Sequence, residues 1–157
     1  MEHASSGLIL CGIDLIEYVP FRRYVEEGGD GFIRRLYTDA ERDYCQGRIP
    51  CLGVRFAVKE AVAKALGTGF RGVCPIEIET RNSSSGKPLL QLYGTAAKVA
   101  KELGIKHWEI SLSHEEFHAI AIAVAIRQNY SAEGLQKAVA DTVQVAFQYR
   151  DKATWKG

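Results

Sequence analysis

The stretch from Arg55 to Gly69 (RFAVKEAVAKALGTG) constrains this chain more than any other. Val54, Val58, Ala61, Val62 and Ala65 recur at helical spacing, which predicts an amphipathic helix with one buried apolar stripe. Arg55, Lys59, Glu60 and Lys64 fall opposite that stripe and are expected on a polar face. Glu60 and Lys64 are one turn apart, so an anion and a cation project side by side. Gly67 suits the left-handed position that closes a helix, and Gly69 keeps the following loop sterically open. A carboxylate among three cations can ligate a metal while the cations hold phosphate. The plainer reading is a solvated face laced with ion pairs, and the rest of the chain has to separate the two.

At 157 residues the chain has room for one domain with a modest core. Its net charge of +1 argues against a dedicated nucleic-acid binder. Arg22, Arg23, Arg34 and Arg35 still make a local basic patch in the first third. No apolar run reaches membrane-spanning length, and Met1 to Gly7 reads as a short lead-in without a signal peptide's pattern. Cys11, Cys45, Cys51 and Cys74 lack C-x-x-C spacing. They are expected as reduced, mostly buried thiols of a cytoplasmic protein.

Leu8 to Tyr18 is apolar and β-branched and reads as a first strand. Pro20 suits the first position of a helix over Phe21 to Glu27, which Gly28-Gly29-Asp30-Gly31 breaks before a short helical piece from Phe32 to Tyr37. Thr38-Asp39-Ala40-Glu41 is a capping box that starts another helix. A loop around Gln46 to Gly53 leads into the long helix. Pro75–Arg81 and Pro88–Tyr93 read as strands joined by a hairpin loop, and Gly94 to Leu103 as a helix with Ala97, Ala100 and Leu103 inward. Trp108–Ser113 and His118–Arg127 alternate as two further strands. Hairpins imply antiparallel pairing, so the expected class is α+β, a mainly antiparallel sheet packed with helices. Ser131 to Arg150 carries a separate amphipathic pattern (Leu135, Ala138, Val139, Val143, Ala146, Phe147), expected to dock as a helix on its own domain or on a neighbouring subunit.

Asp14 lies at the centre of an apolar strand, where an inward carboxylate must be paired or bound. With Glu60 it makes two oxygen donors, and Mg²⁺ is commonly held by one or two carboxylates plus water and substrate phosphates. In Ser111-Leu112-Ser113-His114, hydroxyls and an imidazole are suitable donors to phosphate. His114-Glu115-Glu116-Phe117-His118 matches H-E-x-x-H, but that zinc chemistry needs both histidines on one helix face. Strands are expected on both sides of this motif.

Taken together, Gly12-Ile13-Asp14-Leu15, Phe32 to Thr38 with Glu41, Arg55 to Glu60 through Lys64 to Gly69, Gly86-Lys87-Pro88 and Ser111 to His114 resemble the holo-acyl-carrier-protein synthase family of 4′-phosphopantetheinyl transferases. The matching segments follow the family's order over roughly residues 8 to 127, leaving 128–157 as a C-terminal extension. The resemblance implies the family's fold and its reaction: transfer of 4′-phosphopantetheine from coenzyme A to a serine of an acyl carrier protein, releasing 3′,5′-ADP. It implies that Asp14 and Glu60 hold Mg²⁺, and that Glu60 or a metal-bound water takes the serine proton. Lys64 is implied to assist the departing phosphate. Arg55, Lys59, Ser113 and His114 are implied to hold other phosphates. Gly67, Thr68 and Gly69 would offer backbone N–H groups to the nucleotide, with Lys87 and Pro88 lining it. Arg22, Arg23, Arg34 and Arg35 would meet an acidic carrier, in a homotrimer with sites at subunit interfaces. The alternative is a non-catalytic module that binds coenzyme A or another nucleotide on the same fold.

Overall fold

The computed structural model describes residues 8–127. In chain order these form β1 (Ile9–Glu17), α1 (Tyr18–Leu36), α2 (Asp39–Cys45), α3 (Ile49–Ala65), β2 (Ile78–Asn82), β3 (Pro88–Leu92), α4 (Gly94–Glu102), β4 (Ile105–His114) and β5 (His118–Arg127). A three-stranded sheet has the order β1-β5-β4, and β2-β3 form a separate hairpin sheet. All pairings are antiparallel, as expected of an α+β chain. Among the described residues no helix is long and apolar enough to cross a membrane.

The core forms where α3 lies across the three-stranded sheet. On β5, Ala119, Ala121, Ala123 and Ala125 are buried toward the helix. Their small side chains let the helix backbone approach closely. Gly12 of β1 completes this arrangement, because a Cβ there would meet the Ala61 carbonyl oxygen at 1.9 Å. That contact is far inside van der Waals distance, so β1 and α3 can touch here only through glycine. Strand alternation then aims Asp14, two residues on, at the helix too. Its neighbours on the other face, Ile9, Ile13 and Leu15 of β1 with Ile120, Ile122 and Ile126 of β5, are all exposed.

Several expected boundaries moved. Helix α1 begins at Tyr18, so Pro20 is its third residue rather than its first. The Gly28–Gly31 break shrinks to Gly29, whose φ of 59° and ψ of −160° kink an otherwise continuous helix. The capping box is present as read, with Glu41 N–H donating to Thr38 Oγ1 and Thr38 N–H to Glu41 Oε2. Helix α3 starts at Ile49, leaving a turn of three residues where a loop to Gly53 was expected. Pro75–Glu77 is a 3₁₀ turn before β2. On α4 Ala100 is buried and Leu103 packs against the core as expected, with Ala96 rather than Ala97 as the other buried residue.

The cysteine expectation fails. Cys45 and Cys51 form a disulfide, and the free Cys11 and Cys74 are exposed. The cause is the tight turn between α2 and α3: Gln46 and Gly47 both take positive φ, and the two Cα atoms come within 5.3 Å, inside disulfide range. The amphipathic pattern over 131–150 lies outside the described residues.

Candidate active site

Helix α3 carries the expected polar residues, but the fold sorts them into two environments. Arg55 and Lys59 are buried, so the reading of one solvated polar face does not hold for them. Lys59 Nζ bonds Glu41 Oε2 at 2.7 Å and also donates to the Ile78 carbonyl. Glu41 Oε1 accepts from the Thr80 N–H at 3.1 Å. Both members of the ion pair are 0% exposed. Lys59 therefore ties α3 to α2 and β2 in the interior, which corrects its expected place among phosphate-holding residues. Burial lowers its pKa and the Glu41 carboxylate opposes that shift.

The other pair is open. Lys64 Nζ bonds Asp14 Oδ1 at 2.6 Å and the Ile13 carbonyl at 3.1 Å, while half of its side chain remains exposed. Asp14 Oδ2 is buried without a hydrogen-bond partner. Glu60, one turn before Lys64, completes the cluster. Its carboxyl is held above the usual range by burial first, then by the Asp14 charge, with Lys64 opposing. The site thus has two carboxylates, one with an unused buried oxygen, and one accessible ammonium. An unused oxygen beside a second carboxylate is the donor set a hard divalent cation takes, with water or substrate oxygens filling its other positions.

A cleft of about 530 Å³ opens at the other end of α3. Arg55, Pro88 and His114 line it, as do Tyr44, Arg48 and Asn82, which the sequence reading did not include. Nothing local in the sequence marks these three, because elements remote in the chain bring them together. Arg55 donates to Asn82 Oδ1 at 3.0 Å and lies 4.3 Å above the Tyr44 ring. Lys87, between the cleft residues Gly86 and Pro88, is engaged with Glu109 at 2.9 Å. Ser113 and His114 end β4 between two hollows. His114 lines the cleft with Leu112 and also borders a second hollow, which Ser113 shares with Leu15 and Ile120. Ser113 stays out of the cleft that Leu112 and His114 line, because adjacent strand residues point to opposite faces.

The α3 terminus departs from its expected use. Gly67 takes φ 76° as predicted, and the N–H groups of Gly67 and Thr68 bond the carbonyls of Lys64 and Ala63. This closes the helix as a Schellman motif, so those two N–H groups are already spent. The group left without a partner is the buried Thr68 hydroxyl. Arg22 and Arg23 lie exposed on the first half of α1. Arg34 and Arg35 are exposed beyond the Gly29 kink, where Arg34 reaches Asp30 at 3.4 Å. H-E-x-x-H spans the β4–β5 turn rather than a helix, with His118 Nδ1 2.8 Å from Glu115 Oε1. Among the described residues there is no group of three or more histidines, cysteines or carboxylates able to hold a metal ion.

Comparison with known proteins follows the same lines. Residues 10–125 match the model of the 4′-phosphopantetheinyl transferase superfamily. The chain is 44% identical over 126 residues to a holo-[acyl-carrier-protein] synthase of Herpetosiphon aurantiacus, covering 76% of this chain and 99% of that one. A solved Plasmodium yoelii acyl carrier protein synthase with ADP bound superposes with TM-score 0.71 at 30% identity, over 78% of this chain and 97% of the other. The Helicobacter pylori holo-[acyl-carrier-protein] synthase in complex with coenzyme A gives TM-score 0.67 at 26% identity, over 74% and 99%. The chain belongs to the 4′-phosphopantetheinyl transferase superfamily.

Proposed function

We propose that this chain is a holo-[acyl-carrier-protein] synthase. It transfers 4′-phosphopantetheine from coenzyme A to a serine hydroxyl of an apo acyl carrier protein and releases 3′,5′-ADP. The observation that carries this reading is the Asp14–Glu60–Lys64 cluster, with its unpartnered Asp14 oxygen, on the two elements that Gly12 lets touch. Relatives named for this activity, and solved neighbours with coenzyme A or ADP bound, support it.

Asp14 and Glu60 would hold Mg²⁺, which when bound offsets charge on phosphate oxygens and orients the attacked phosphorus. The chain's own groups do the rest. Glu60, with its raised pKa, accepts the serine proton as the serine oxygen bonds to phosphorus. Lys64, half exposed and fixed by Asp14, donates to the phosphate that departs as the phosphorus–oxygen bond breaks. Arg55, His114 and Pro88 receive the nucleotide in the cleft, with Lys87 between two of its lining residues and Ser113 in the adjoining hollow that His114 also borders. The exposed arginines Arg22, Arg23, Arg34 and Arg35 meet the acidic carrier.

A homotrimer fits the exposed apolar face of β1 and β5. An isoleucine-rich sheet face of this size is the kind that associates. Residues 8–127 form the transferase domain, and 128–157 contribute stability without catalytic residues.

The test is incubation with coenzyme A, Mg²⁺ and an apo carrier protein, followed by mass spectrometry of the carrier. A gain of one phosphopantetheine, abolished by a chelator and restored by Mg²⁺, is the expected result. Nucleotide binding without transfer would leave a binding module instead.

A further inference from the structure

The wall of the cleft contains a bond that the transfer chemistry does not use. Cys45 closes α2 and Cys51 lies in the first turn of α3. Cys45 is wholly buried, whereas Cys51 is partly exposed and lines the cleft. Arg55 sits one turn beyond Cys51 and donates to its sulfur at 3.2 Å. The same guanidinium bonds Asn82 and covers the ring of Tyr44, the residue next to Cys45. The disulfide therefore fixes two of the three supports of Arg55: the sulfur itself, and the helix end that carries Tyr44. Without it, that helix end is held by hydrogen bonds, those from the Arg48 side chain and N–H to the Tyr44 and Cys45 carbonyls among them, and by the packing of Cys45 in the core.

We propose that Cys45–Cys51 is a thiol–disulfide switch that sets the affinity of the cleft for its nucleotide, and that a dithiol reductant opens it. The nucleotide as ligand rests on the function proposed above. A thiolate of the reductant attacks the Cys51 sulfur, the accessible member of the pair. The sulfur–sulfur bond breaks, and Cys45 leaves as a thiolate and takes up a proton. The reductant's second thiol then attacks the mixed disulfide, releasing Cys51 and closing the reductant's own disulfide. Two electrons pass from the dithiol to the protein. Such bonds in a cytosolic protein are usually transient and redox-sensing. In the oxidised state the bond preorganises Arg55 for an anionic ligand. In the reduced state that order must be restored on binding, which weakens affinity.

The experiment measures binding of 3′,5′-ADP to the full chain by calorimetry, before and after dithiothreitol. This probe has no thiol and cannot itself open the bond. Thiol titration should find two free cysteines in the oxidised protein and four after reduction. Reduction should weaken binding about five-fold, equal to about 1 kcal/mol. Cys45→Ser keeps the Cys51 sulfur beside Arg55 but cannot form the bond, so it should bind like the reduced protein with or without reductant. Equal affinity in the two wild-type states would overturn the switch alone, as would four free thiols after treatment with an oxidant. Failure to bind 3′,5′-ADP in either state would overturn the nucleotide reading beneath it.

Discussion

Helix α3 presents two lysines five residues apart, each paired with a carboxylate at nearly the same distance, 2.7 Å for Lys59–Glu41 and 2.6 Å for Lys64–Asp14. Their surroundings differ completely. Glu41 accepts from Lys59, from Thr38 N–H and from Thr80 N–H, so both its oxygens are used and the pair is sealed from water. Asp14 keeps one oxygen unused, its lysine is half exposed, and a second carboxylate stands beside it. A complete network fixes geometry, whereas an incomplete one leaves capacity for a ligand. The difference lies in hydrogen-bond completion and solvent access rather than in residue type.

The comparison can be broken most sharply at the sealed pair. Lys59→Ala strips Glu41 of its buried counter-charge, and a loss of about 3–5 kcal/mol of stability is expected. Chemical denaturation measures this. A loss of only a few tenths would mean that the pair is not the closed structural unit described. Asp14→Asn should do the reverse, leaving the midpoint of unfolding near wild type. Transfer to the carrier should fall about a hundred-fold, or about 2.7 kcal/mol on the barrier. Near-normal turnover at saturating Mg²⁺ would remove Asp14 from the metal site. The smallest effect is expected between the two. Gly12→Ala forces a methyl against the Ala61 carbonyl, an overpacking cost of about 1–3 kcal/mol. Because β1 must move off α3, transfer should drop along with stability. A variant that lost stability but kept full transfer would show that Asp14 does not depend on this close approach.

Much was legible before any fold was known, and the reason is locality. Alternation in His118–Arg127, the Thr38–Glu41 capping box and the glycine closing α3 are decided within a few residues by strand period, cap chemistry and positive φ. The Asp14–Glu60–Lys64 cluster was legible only through the family's motif order, since nothing local links positions 50 residues apart.

Tertiary structure alone decided which cation of α3 meets water. Helical spacing says which residues share a face, but not what that face will meet. Here the capping-box glutamate and the first residue of β2 arrive over Lys59 from 18 and 19 residues away, whereas Lys64 emerges at the edge of β1. The same limit explains why His114 reaches the cleft and Ser113 does not, and why Tyr44 and Asn82 meet Arg55 in one cleft. It also explains the Cys45–Cys51 bond, which the tight turn after α2 made by bringing two Cα atoms within reach.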